Sequence, residues 1–232
     1  MKLGTAVSFA GADYNEEYAP TGVVISGQGT DGQRELFVGA TNGRSPFVIS
    51  RVSSSGKILG EYWHFGSIYG LSALTSEGKP SVIAWGTNDL PDTTGHSDHS
   101  FAVIVRLDPA KFLGRTESAC TRGFGFPASE AEQRYIRLPR SDVEEALNVP
   151  AAAMNMRVER DSVLTFAVNF GPGTSEQFSC FYSFTRNLEP LDVKSDDVTE
   201  TEQRRLVAEG ALKSSWARDY FDSLRAHIEF LR

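Results

Sequence analysis

Gly32-Gln33-Arg34-Glu35-Leu36-Phe37-Val38-Gly39-Ala40-Thr41-Asn42-Gly43 and Gly78-Lys79-Pro80-Ser81-Val82-Ile83-Ala84-Trp85-Gly86-Thr87-Asn88-Asp89 state one pattern twice. Gly32/Gly78, Thr41/Thr87 and Asn42/Asn88 share a single offset (78 − 32 = 46). Each copy continues with an apolar strand ending in Arg, Phe47 to Arg51 and Phe101 to Arg106. A polar turn follows, then an apolar-Leu-Gly stop, Ile58-Leu59-Gly60 and Phe112-Leu113-Gly114. Short apolar runs between Gly- and Asn-rich turns, recurring at this period, indicate repeated antiparallel meanders.

Outward from these copies the same grammar continues. The first unit has strands at 35–40, 47–52 and 58–63, joined by Asn42-Gly43 and Ser55-Gly56, dipeptides that supply the positive φ of tight hairpins. Ahead of it, 3–10 alternates like a strand, 11–21 reads as an exposed acidic loop, and 22–26 is a further strand. The second unit repeats the pattern at 68–74, 81–86, 101–107 and 112–114, with Thr87 to Ser100 as a stretched connection. A third is expected at 154–159, 162–169, 178–184 and 189–193.

Between the second and third units, 114–133 is irregular around Gly123-Phe124-Gly125-Phe126-Pro127, and 135–138 reads as a short strand. Ser141-Asp142-Val143-Glu144 is a capping box that predicts a helix over 142–148, stopped before Pro150. A second helix should open at Thr199 and end near Gly210. A third, capped by Ser214 or Ser215, carries Trp216, Tyr220, Phe221 and Leu224 at helical spacing. Residues 226–230 are the end of that helix or a closing strand, and their alternation favours the strand.

The expected fold is therefore mainly β, built of antiparallel four-stranded meanders with a short helical C-terminal appendage. Its domains are 1–197, with units at about 20–65, 66–115 and 135–195, and 198–232, helices that pack on the sheet.

Composition narrows the function. Of 232 residues, 40% are hydrophobic and 11% aromatic, which excludes general disorder. The formal charge of −7 disfavours nucleic acid, and no apolar run approaches the ~18 residues of a membrane-spanning helix. Residues 1–5 show no secretory signal, so the default compartment is the cytoplasm. Cys120 and Cys180 are two buried thiols or one disulfide; a Cys-x-x-Cys zinc site is absent from the sequence.

The run Leu71-Ser72-Ala73-Leu74-Thr75-Ser76-Glu77-Gly78-Lys79-Pro80-Ser81-Val82-Ile83-Ala84-Trp85-Gly86, with Leu107-Asp108-Pro109 ending the later strand, resembles the FG-GAP/VCBS family of β-propeller repeats. The likeness covers about residues 20–115, and 154–193 more faintly. It implies blade-like sheets that serve as a binding platform. The family's calcium loop needs several aspartates, whereas Thr30-Asp31-Gly32 and Thr75-Ser76-Glu77-Gly78 offer one carboxylate each, so calcium is not carried over. Three blades are too few to close a ring. The open ends of an incomplete ring or arc are then met by another copy or further sequence, by the sheets folding onto each other as a sandwich, or by the N-terminal strand and C-terminal helices covering the edges. The expectation is the last, combined with self-association or a protein partner.

Two clusters can carry chemistry. Glu61, Trp63 and His64, with Tyr69 and Trp85, can form an aromatic and acidic ligand-binding wall; core packing is the alternative for the aromatics. Asp92, His96, Asp98 and His99 combine imidazole and carboxylate within one loop, a donor set for a divalent metal, against the alternative of a solvated hairpin loop. Otherwise no cofactor is expected. The reading is a non-catalytic binding or protein-interaction module, possibly part of a larger assembly. The alternative is a metal-dependent hydrolase or carbohydrate-active enzyme using the His96/Asp98/His99 loop.

Overall fold

Residues 7–9, 12–14, 19–28, 33–41, 47–64, 66–76, 79–89, 100–112, 130–138, 151–158, 163–170 and 178–211 are described by a computed structural model of the chain. The chain divides into two compact units, Met1–Ser100 with Val105–Gln133, and Phe101–Ile104 with Arg134–Arg232.

The first four-stranded sheet is an antiparallel meander of β3 (Ala19–Gln28), β4 (Arg34–Thr41), β5 (Phe47–Val52) and β6 (Ile58–His64), in that order. A small hairpin, β1 (Val7–Phe9) with β2 (Ala12–Tyr14), precedes it. The second sheet follows the same order with β7 (Ile68–Ser76), β8 (Lys79–Asp89), β9 (Ser100–Leu107) and β10 (Glu132–Arg137). The third is β11 (Ala151–Val158), β12 (Leu164–Phe170), β13 (Phe178–Phe184) and β14 (Pro190–Ser195). The repeat read from the sequence is thus a structural repeat. Residues 35–40 lie in β4 and 81–86 in β8, the second strand of each meander.

Why these runs form strands is visible in their burial. In β4, Phe37 and Val38 point to opposite faces and both are buried, and β5 is buried along nearly its whole length. A sheet covered on both faces accepts continuous Val, Ile and Phe, as these sequences supply. The β5–β6 turn is closed by Gly56, at φ +82°, whose N–H donates to the Ser53 carbonyl at 2.9 Å. The expected Ser-Gly hairpin is present.

The fourth strand of the second sheet corrects the sequence reading. Residues 112–114 were the expected strand, yet Pro109–Lys111 form a 3-10 turn, capped by the Asp108 carboxylate accepting from the Ala110 N–H at 3.0 Å. Phe112 ends that turn as a buried plug: its ring meets Phe37 edge-on at 6.0 Å and stacks on Tyr62 at 6.2 Å. Proline at the turn's start fixes φ and removes an N–H donor, ending the ladder. The chain returns later, and 132–137 supplies the fourth strand. The N-terminal loop is also shorter than expected, because 12–14 and 19–21 are extended, with 12–14, Ala19 and Pro20 paired.

In the third sheet the period of two is clean. Leu164, Phe166 and Val168 of β12 and Cys180, Tyr182 and Phe184 of β13 are fully or almost fully buried. The intervening Thr165, Ala167, Asn169, Ser179, Phe181 and Ser183 are half-buried. Cross-strand bonds link this second face: Thr165 and Ser183 hydroxyls at 3.3 Å, and Ser179 Oγ donating to Asn169 Oδ1 at 2.9 Å.

Helix α1 (Asp197–Ala208) follows β14 and packs on β13. It opens two residues before the expected Thr199, because the Asp196 carboxylate is the N-cap, accepting from the Thr199 N–H at 2.8 Å. Thr199 turns its hydroxyl outward instead, accepting from the Ser179 N–H at 3.0 Å and tying the helix to the sheet. Gly210, at φ +74°, ends it as expected. The expected helices at 142–148 and after Ser214, the segment 226–230, the Gly123–Pro127 run and Cys120 lie outside the described residues; Cys180 is buried.

Candidate functional site

The aromatic and acidic wall falls on β6 and on the β7–β8 pair. Along β6 the side chains alternate, so Glu61 and Trp63 share one face of the first sheet while Tyr62 and His64 share the other. The register places Ser50 opposite Glu61, Ile49 opposite Tyr62, and Phe47 opposite His64. Ser50 Oγ donates to Glu61 Oε1 at 3.5 Å, with both residues buried. On the other face the Tyr62 hydroxyl donates to Glu132 Oε1 at 2.9 Å, and its ring lies 6.4 Å from that of His64.

This geometry limits the chemistry. Glu61 and His64 are three residues apart on a strand, an odd separation, so their side chains leave through opposite faces of the sheet. They cannot act together as acid and base on one substrate. His64 is fully buried, and burial lowers its pKa to about 3, so the imidazole is neutral at physiological pH.

Trp85 and Tyr69 are arranged by a register shift between Ile68 and Gly70. Gly70 pairs with Trp85, and the indole ring lies against it: a Cβ at position 70 would collide with the ring. Tyr69 falls in the shift, carries no cross-strand partner in the register, and is 44% exposed. Of the five wall residues, Glu61, Trp63, His64 and Trp85 are therefore buried, and Tyr69 reaches solvent.

Asp92, His96, Asp98 and His99 lie outside the described residues. Among the described residues no group of three or more His, Cys, Asp or Glu side chains is placed to hold a metal ion. No described helix is long and apolar enough to cross a membrane.

One polar arrangement was missed by the sequence reading: the Arg51 guanidinium engages the Glu35 carboxylate and the Pro109 carbonyl. An Arg ending the third strand of each copy was visible, as Arg51 and Arg106; its partners were not. Glu35 is a diagonal neighbour, since Arg51 pairs with Phe37, and Pro109 is far along the chain. No protein-family model matches the chain, and no curated relative matches it.

Proposed function

We propose that this chain is a non-catalytic binding module, built on blade-like β repeats of the FG-GAP/VCBS kind and working as a protein-interaction or ligand-binding part of a larger assembly. The observation that carries the reading is repetition. Three consecutive four-stranded meanders occur in one chain, with the two sequence copies at the same place in the first two. A scaffold of this kind holds turns of variable sequence on rigid strands, and recognition is concentrated in such turns. The buried polar groups on β5 and β6 support it. Ser50 with Glu61, and Tyr62 with Glu132, are engaged within the scaffold rather than gathered at an open cleft.

The test has two arms. The immobilised full chain is offered a fractionated extract, and saturable capture competed by the free chain is the expected result, followed by identification of the captured component. In parallel, the chain is assayed on ester, glycoside and phosphoester substrates with and without divalent metals. Metal-dependent turnover that disappears in His96→Ala and His99→Ala variants would replace the binding reading with the hydrolase.

A further inference from the structure

Six strands lie at the edges of the three four-stranded sheets: β3, β6, β7, β10, β11 and β14. An open edge is a template for another strand, and proteins guard edges with proline, charge, register breaks or cover. Five of the six are guarded. β3 carries Pro20 and two register shifts, between Pro20 and Gly22 and between Ile25 and Gln28. β6 is buried on both faces from Gly60 to His64. β7 has a register shift at Ile68/Gly70 and packs against β3. β10 carries Glu132, Arg134 and Arg137 in six residues. β14 begins with Pro190, sits across from a shift at Ser183/Phe184, and bears Asp192 and Lys194 paired at 3.1 Å on its exposed surface.

β11 is different. Its one register shift is confined to Ala151/Ala153, and from Ala153 to Val158 it pairs with β12 without interruption. It contains no proline, lysine or acidic residue, and its single charge is Arg157. Asn155, Arg157 and Val158 are exposed. The apolar row also runs off this edge: Phe184 and Leu164 are fully buried, and Val158, next in the row, is 47% exposed.

We propose that β11 is a self-association edge, and that its occupant is the β11 strand of a second copy, antiparallel about Asn155. The strand is self-complementary in that register. Asn155 meets Asn155 of the other copy, Arg157 meets Ala153, and Val158 meets Ala152. No like charges face each other: Met154 meets Met156, and only the longer Arg157 and Val158 meet alanines. A parallel pairing would instead set Arg157 beside Arg157. The antiparallel pairing joins two four-stranded sheets into one continuous sheet, with backbone hydrogen bonds supplying affinity and the Asn155 contact fixing the register.

The test is charge exchange at the two-fold contact, read by light scattering on size-exclusion chromatography of the full chain. Wild type is expected at twice the 25.4 kDa chain mass. Asn155 is exposed, so Asn155→Lys and Asn155→Asp keep the fold, which thermal melts verify. Each variant alone places like charges in contact and should weaken dimerisation about ten-fold or more. Mixed in equal amounts they should recover the dimer. Lys194→Glu, on the guarded edge β14, should leave the wild-type dimer unchanged. A wild type that stays at the single-chain mass at all concentrations overturns the proposal. So does a dimer indifferent to Asn155→Lys, or one broken by Lys194→Glu.

Discussion

Arg51 grips Glu35 with two parallel bonds, Nε donating to Oε2 at 2.8 Å and a terminal nitrogen donating to Oε1 at 2.5 Å, while its other terminal nitrogen donates to the Pro109 carbonyl at 3.2 Å. The pair is mostly buried, so it fixes the 3-10 turn and the Phe112 plug against the first sheet. Removing one partner leaves the other charge in a poorly solvated site, which costs more than removing both. Arg51→Met and Glu35→Gln should each lower unfolding free energy by about 2–3 kcal/mol. The double variant should cost less than the sum. Urea unfolding of the three variants measures this, and additive losses would mean that the two residues act separately.

His64 sets a pH dependence of known sign. Burial lowers its folded pKa to about 3 from 6.5, so between those values the unfolded chain binds a proton that the folded chain does not. Its contribution is full above pH 6.5 and is lost as pH falls toward 3. From pH 6.5 to about 5 the loss is about 2 kcal/mol, at ~1.4 kcal/mol per unit. His64→Gln should flatten this part of the profile. Equal acid sensitivity of variant and wild type over that range would assign it to other groups.

Gln203 on α1 is buried, and its Nε2 has no hydrogen-bond partner among the described residues. An unsatisfied buried amide is costly, so Gln203→Met, similar in length and apolar, should stabilise the chain by about 1 kcal/mol. The thermal midpoint should rise accordingly. A fall would mean that the amide is held by bonds formed only in solution.

Gly60 lies where a Cβ would run into the Phe112 carbonyl. Gly60→Ala should displace the plug and cost about 2 kcal/mol, with the Phe112 and Tyr62 rings losing their stacking. Near-ultraviolet circular dichroism reads the aromatic change, and an unaltered spectrum with unaltered stability would show that the turn shifts freely.

These relationships also mark what a sequence can carry. The strands at 35–40 and 81–86 were legible because apolar runs bounded by glycine and asparagine are local signals. The pairing of 132–137 was not, since strand partners separated by a long excursion leave no local trace; Leu107-Asp108-Pro109 did mark the end of the strand before it. For the candidate wall, alternation correctly divided Glu61 and Trp63 from Tyr62 and His64. It could not tell that both faces are covered, because periodicity names a face and not what lies over it.

The division of β9 has a consequence for cutting the molecule. Phe101–Ile104 belong with the C-terminal unit although 105–133 belong to the N-terminal one, and the Leu138 N–H donates to the Ala102 carbonyl at 2.8 Å. No single scission of the backbone therefore yields two complete halves. A fragment beginning at 134 forfeits Ala102, Val103 and Ile104, a piece of its own interior.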